Sequence, residues 1–277
     1  MMSIPEGQIE IRASDFSLSV QEQRSVAPMN LFRKLAGSFV NRALIPFLGY
    51  VRYRIHDSVP PYGLLEELTH RTAAECADYV QTEMGNALEF KEREDLWDYV
   101  WTKKNPAGLI AEFGVWNGYS INRFAEKTAE VVFGFDSFVG LREDWKGAGH
   151  AKGTFDVGGK LPKVRKNVDL IEGWFDETLP PFLAGHGEEF AFIHVDCDTY
   201  EAAAAVLSLV GPRIKQGTVI VFDEYFGYRG WRCGEFKAWQ EFVSRNQIHY
   251  EYLAFSRESV SVQITQNPAI APHSVEL

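Results

Sequence analysis

Carboxylates stand at the ends of apolar runs in this chain, and that placement is where its chemistry is to be sought. One run closes as His194-Val195-Asp196-Cys197-Asp198, another as Phe222-Asp223-Glu224-Tyr225. If both runs are parallel strands, both acid groups emerge at the same carboxyl edge, and neighbouring strands lie about 4.8 Å apart. Asp196, Asp223 and Glu224 then converge on one point. Carboxylates gathered without a cation repel each other, and a hard, oxygen-seeking ion such as Mg²⁺ relieves that repulsion. Such an ion binds a hydroxyl, lowers its pKa and orients it. Asp196 is placed to accept the proton. Asp198 is open to two readings, a cap on the helix that starts at Thr199 or a member of the site. His194 precedes Asp196 by two and shares its sheet face. It is either a partner of the site or a satisfied core histidine.

A second constellation lies upstream. The run Leu109–Phe113 leads into Glu112-Phe113-Gly114-Val115-Trp116-Asn117-Gly118-Tyr119-Ser120. A strand, a glycine turn and a helix bring a ligand to the carboxyl edge of a parallel sheet. Gly114 permits the tight turn, and Gly118 permits close approach at the helix start. The spacing is GxxxG rather than the GxGxxG of dinucleotide sites. Trp116 stands where a pyrophosphate would lie, so a nucleoside without one fits better. Glu112 can hold an ammonium group directly or through the loop. Asp136, in Phe133-Gly134-Phe135-Asp136-Ser137-Phe138, follows the turn at the distance expected of a ribose partner, and its two oxygens match two vicinal hydroxyls. Its alternative is a turn cap. Trp174 is placed to stack on an adenine or a substrate, or simply to pack. His150, in the glycine-rich loop 147–159, is a loop histidine with no fixed role. The aromatics Tyr225, Phe226, Tyr228 and Trp231 line an acceptor pocket or cover the sheet edge.

The elements that must position these groups follow from periodicity. Residues 63–101 repeat apolar positions every three or four residues and predict helix, ended by Asn105-Pro106-Ala107-Gly108. From there strands and helices alternate: strands at 109–113, 131–135, 190–195 and 218–222, helices at 117–128, 199–210 and 234–244. Residues 167–175 read as strand and then turn. That alternation predicts an α/β fold, a mostly parallel sheet with helices on both faces. The runs 250–255 and 259–264 predict a hairpin at one sheet edge. The domain reading is a tail over 1–28, a helical lid or interface region over 29–104, the α/β domain over 105–266 and a tail over 267–277.

Composition sets outer bounds. The 277 residues are 45% hydrophobic and 24% charged, enough for one large domain with an N-terminal addition. A net charge of -10 disfavours nucleic acid as a partner. Three scattered cysteines, Cys76, Cys197 and Cys233, form neither a disulfide framework nor a zinc pair, and with no secretory pattern they point to a cytoplasmic protein. Arg33, Lys34, Arg42, Arg52 and Arg54 punctuate an apolar run over 39–51, with no acid between Glu22 and Asp57. The favoured reading is a helix over the cleft or a subunit interface, hence a homo-oligomer, a dimer; the minor reading is a membrane surface.

The strings EFGVWNGYS, GFDSFVGL, EGWFDETLP, HVDCDTYE, VIVFDEYF and GWRCGEFKAW, in this order over roughly residues 108–245, resemble the macrocin O-methyltransferase family. The resemblance implies a Rossmann-like class I methyltransferase fold with a seven-stranded sheet, S-adenosyl-L-methionine as donor, often Mg²⁺, and a small-molecule acceptor such as a natural-product sugar. It implies that the turn Glu112–Gly118, with Trp116 inside it and Ser120 beyond, holds the methionine part. Asp136, followed by Ser137, would hold the ribose, and Glu172-Gly173-Trp174 would flank the adenine. Asp196 would be metal ligand and base, with Asp223 and Glu224 as further ligands. Metal-using relatives carry Asp-Asp where this chain has Asp223-Glu224. The other readings are a nicotinamide-dependent oxidoreductase, disfavoured by GxxxG and Trp116, and a nucleoside-binding scaffold without turnover.

Overall fold

The computed structural model describes residues 40–58 and 63–268. The tail expected over 1–28, and all but the first two residues of that expected over 267–277, lie outside the described residues. The chain divides into two compact units, 1–61 and 62–277. In the first, a π-helical turn Val40–Leu44 runs into α1, Ile45–Ser58, which exposes Ile45, Phe47, Leu48 and Tyr50. Among the described residues no helix is long and apolar enough to cross a membrane.

The second unit is built on one sheet. Its strands are β1 (Leu88–Glu89), β2 (Leu109–Phe113), β3 (Val132–Asp136), β4 (Val168–Glu172), β5 (Phe190–Val195), β6 (Ile214–Phe222), β7 (His249–Ser256) and β8 (Ser259–Gln266). The order is β1-β7-β8-β6-β5-β2-β3-β4. The strands from β4 to β6 are mutually parallel, and β8 is antiparallel to both its neighbours. The short apolar runs of β2 and β5 are buried at every position, as strands covered on both faces must be.

Among the described residues the unit also holds α-helices α2 (Leu64–Glu83), α3 (Arg93–Trp101), α4 (Tyr119–Glu126), α5 (Phe175–Gly185), α6 (Tyr200–Val210) and α7 (Glu235–Asn246). Alternation along each strand sorts the core into two layers. Ala111, Phe113, Ile193, Val195, Ile220 and Phe222 face α5, α6 and α7. Ile110, Phe192, Val219 and Val221 face Leu96, Trp97 and Val100 of α3 and Ile121 and Phe124 of α4.

The structure departs from the sequence reading in three places. The helical stretch 63–101 is two helices, because the chain turns at Gly85-Asn86 and lays Leu88–Glu89 beside β7. That two-residue edge adds an eighth strand to the seven expected and covers the hairpin β7–β8, which sits with β8 against β6. After Glu172 the chain does not merely turn; it starts α5. Pro180 and Pro181 lie inside that helix, where proline ordinarily signals a break, while Asp176 and Glu177 in the first turn complement its dipole.

Phe192 is fully buried between the rings of Trp101 and Phe124. Phe192→Ala is expected to lower unfolding free energy by about 3–5 kcal/mol. Val131→Ala, at a position 46% exposed, should change it by less than about 0.5 kcal/mol. Urea denaturation of both variants checks the layer assignment.

Candidate active site

The glycine turn and the acid edge are in backbone contact. Gly114 has φ +94°, and a Cβ there would run into the carbonyl oxygen of Asp196. Only glycine lets the loop after β2 press so closely on the loop after β5. Trp116 adopts φ +44°, unusual for a bulky residue. The turn is fastened from the next strand. Asp136 Oδ2 accepts hydrogen bonds from the backbone N–H groups of Val115 and Trp116, both at 2.8 Å, and Oδ1 accepts from Phe138 N at 2.7 Å. The turn-capping role weighed for Asp136 is thus filled, while the residue also faces the cavity.

That cavity, about 350 Å³, opens over the carboxyl edge of β2 to β6 and is of a size that holds a small ligand. Of the residues singled out from sequence, Gly114, Trp116, Ser120, Asp136, Ser137, Gly173, Trp174, Asp196, Asp223 and Glu224 line it. Glu112 and Gly118 do not. Gly118 sets the left-handed start of α4. Glu112 is fully buried; its carboxylate accepts from Ser120 Oγ at 3.0 Å and lies 3.1 Å from His194 Nδ1. Its direct route to a ligand ammonium is closed, and it reaches the cavity through Ser120. Trp174 presents a ring with the Arg142 guanidinium 5.0 Å from its centroid, and Arg142 pairs with Asp176. His150 stacks on Trp145 and does not line the cavity.

The acids do converge. One ligand atom each from Asp196, Asp198 and Glu224 lies within 4.8 Å of the others, and the same holds for His194, Asp196 and Asp223. Asp198 is not the helix cap; Thr199 is, through its side chain and Ala202 N. Asp198 has φ +67° and is buried. Burial, then the charge on Asp223, pushes Asp196 well above the usual carboxylate range, although the His194 charge opposes it. Burial, then Asp223 and Asp136, pushes Asp198 up to about 7. Glu224 is raised by burial and by Asp196, and its Oε2 is a buried oxygen without a hydrogen-bond partner.

Asp223 behaves differently. Burial raises it too, but His194, Arg93 and Ser259 outweigh that and hold it below the usual range. Ser259 Oγ donates to its Oδ1 at 2.7 Å, and Arg93 Nη1 pairs with Oδ2. His194 is fully buried, with Nε2 3.8 Å from Asp223 Oδ1, an ion-pair separation too long for a hydrogen bond. Burial lowers its pKa, yet Asp223 and Glu112 push it up to about 10. Of the two sequence readings of His194, the partner of the site is the one its geometry supports: the ring is buried, edge-on to Trp97 and Phe124, but only Nδ1 has a hydrogen-bond partner, and Nε2 faces Asp223 without one.

Sequence reasoning missed Arg93 and Glu235. Arg93 stands at the start of α3, more than a hundred residues from Asp223, and nothing local links the two. Glu235, the fully buried first residue of α7, accepts from Cys197 N and Glu224 N, both at 3.3 Å. It ties the loop after β5 to the loop after β6. Burial, then the Asp198 charge, pushes it up to about 8 against those two N–H donors. It sits inside the string GWRCGEFKAW, which was the available signal.

Residues 111–225 match a family model described as a methyltransferase domain. The chain is 31% identical to the 8-demethyl-8-(2,3-dimethoxy-alpha-L-rhamnosyl)-tetracenomycin-C 4'-O-methyltransferase of Streptomyces olivaceus, over 43% of this chain and 53% of that protein. It is 26% identical to the demethyldecarbamoylnovobiocin O-methyltransferase of Streptomyces niveus, over 58% of this chain and 68% of that protein. The match thus spans about half the length of the tetracenomycin enzyme. The crystal structure of a calicheamicin methyltransferase aligns over 90% of this chain and 99% of its own, with a TM-score of 0.52 and 20% identity. The fold is the Rossmann-like fold of class I methyltransferases, and the relatives found act on natural products other than macrocin.

Gly114→Ala should destabilise by at least about 2 kcal/mol, from the left-handed φ and the backbone overlap, with a matching drop in melting temperature. For Glu235, the folded pKa of about 8 exceeds the unfolded value, so ionising it opposes folding. Its contribution is intact below pH 4.5 and declines as pH rises through 8. Melting curves between pH 5 and 9 should fall more steeply for the wild type than for Glu235→Gln; parallel curves would contradict this.

Proposed function

We propose that this protein is an S-adenosyl-L-methionine-dependent O-methyltransferase acting on a hydroxyl of a small molecule, a sugar or other natural-product acceptor. The observation that carries the reading is one cavity in which the GxxxG turn, Asp136 and Trp174 face the same space as Asp196 and Glu224. The family match and the two curated O-methyltransferases support it. A donor of this kind is a nucleoside joined to a sulfonium and an ammonium, and the acid-rich wall suits those charges. In this reading the turn of Gly114 and Trp116, with Ser120, holds the methionine part. Asp136 and Ser137 hold the ribose, and Gly173 and Trp174 flank the adenine.

Methyl transfer from a sulfonium needs chiefly alignment and a deprotonated oxygen. Asp196, held above the usual carboxylate range, is a base better matched to a hydroxyl near neutrality than an exposed aspartate. The unpartnered Glu224 oxygen beside Asp196 and Asp198 fits a hard divalent cation, Mg²⁺ for choice. When bound, such a cation supplies Lewis acidity toward the acceptor hydroxyl. Arg93 of α3 lines the cavity, and in this reading it contributes to acceptor choice. The macrocin family is the finer form of the same reading.

Calorimetric titration with S-adenosylhomocysteine should show micromolar binding. Trp174→Ala should weaken it about tenfold, near 1.4 kcal/mol. A folded wild type that binds no S-adenosylhomocysteine would remove the reading.

A further inference from the structure

The aromatics weighed from sequence for an acceptor pocket lie elsewhere. Tyr225, Phe226, Tyr228 and Trp231 do not line the cavity, and Tyr225, Phe226 and Trp231 are buried in the core. Three other aromatics do line it: Trp116 in the glycine turn, and Trp145 and Phe155 in the loop 137–167 between β3 and β4. Trp116 and Phe155 meet edge to face, with ring centroids 5.5 Å apart. Phe155 contacts His150 at 5.4 Å, and His150 stacks on Trp145 at 5.4 Å. The rings form one row from the turn after β2 across the loop. Two of them are held at a conformational cost. Trp116 has φ +44° and Phe155 φ +72°, in the left-handed region that bulky residues avoid. Phe138, also at positive φ, is buried in the core. Trp116 is 48% exposed and Phe155 half-buried, so burial does not offset the strain there. The loop is braced all the same. Trp145 bridges to His150 and Val139 to Asp156, Leu141 N donates to Thr154 O at 2.9 Å, and Gly147 lies too close to Gly230 for either to carry a Cβ. Strain that the surroundings enforce in this way gathers at ligand-binding surfaces.

We propose that Trp116, Phe155 and Trp145 form the wall on which the methyl acceptor lies, and that they hold an uncharged ring by its flat apolar face. This rests on the methyltransferase reading and deepens it by naming side chains that select the acceptor. In that reading the donor takes Asp136, Ser137, Gly173, Trp174 and the backbone of the glycine turn. The Trp116 N–H is already given to Asp136, which leaves its ring for the second substrate. A half-exposed aromatic face in a cavity takes another flat apolar face, an aryl ring or the C–H face of a pyranose. Charge narrows the class further. The two cations among the described residues lining the cavity are each paired, Arg93 with Asp223 and Arg142 with Asp176, and acids outnumber them along the wall. A phosphate or carboxylate on the acceptor would meet like charge there and no unpaired cation.

The test is saturation-transfer-difference NMR on the full chain loaded with S-adenosylhomocysteine. The probes are 4-nitrophenyl glucopyranoside and the matching glucuronide, which carries the same two rings and a carboxylate. The glucopyranoside should receive saturation; stronger transfer to the aryl protons means the wall holds an aryl ring, and stronger transfer to the sugar protons means it holds the pyranose face. The glucuronide should bind at least about fivefold more weakly. Phe155→Gly removes one ring and suits the left-handed φ. It should weaken glucopyranoside binding at least about fivefold, while S-adenosylhomocysteine affinity stays within about threefold and the melting temperature within about 2 °C. Phe155→Tyr should bind the probe as wild type does. Trp145→Leu, which leaves the backbone at Phe155 unchanged, should lose the probe to the same extent and serves if Phe155→Gly fails to fold. A folded Phe155→Gly that binds the glucopyranoside as wild type does, or a loaded wild type that shows no transfer to either ring, overturns the acceptor wall. A glucuronide bound as tightly as the glucopyranoside overturns the uncharged class. A wild type that takes up no S-adenosylhomocysteine fails at the earlier step, the methyltransferase reading itself.

Discussion

Desolvated negative charge at the carboxyl edge of one sheet is the constraint on which this structure turns. Glu112, Asp196, Asp198, Asp223, Glu224 and Glu235 all cluster there, largely out of water. Buried charge of this kind is paired, hydrogen-bonded or neutralised by a raised pKa. The answers differ from residue to residue. Asp223 takes an arginine, a serine and a histidine; Glu112 takes a histidine and a serine; Glu235 takes two backbone N–H groups and a raised pKa. Asp196, Asp198 and Glu224 are left with carboxyls that burial and their acidic neighbours push above the usual range.

The same interactions join the two halves of the site. Glu112 and His194 are register partners on adjacent parallel strands, so their pairing is built into the sheet. From that pair one contact runs to Ser120, at the start of the helix after the glycine turn, and another to Asp223 at the acid edge. Asp136 spans the next strand gap by fastening the turn's own amides. Ligand-facing loops are ordinarily the mobile parts of such a fold. Here the loop after β2 presses on the Asp196 carbonyl at Gly114, and Glu235 ties the loops after β5 and β6 to each other.

Asp223-Glu224 reads differently once its surroundings are known. On the page of the sequence it is a lengthened copy of an Asp-Asp pair and weakens the case for a metal. In the structure the two positions differ: Asp223 is paired with Arg93 and Ser259, and Glu224 keeps a buried oxygen without a hydrogen-bond partner. Arg93, Tyr119 and Trp145 line the same cavity as these acids.

The sequence by itself determined the strand–helix alternation, the parallel sheet, the position of the glycine turn and the arrival of Asp136, Asp196, Asp223 and Glu224 at one edge. Those follow from local periodicity and from the rule that parallel strands present their ends together. Only the tertiary structure decided that Gly85-Asn86 breaks a helix to add a strand, that α5 tolerates two prolines, and that Thr199 rather than Asp198 caps α6. Only it brought Arg93 to Asp223 and Glu235 beneath both loops. Which carboxylate is paired and which is left free depends on groups far away in the chain and on the water they exclude. Periodicity carries no record of either.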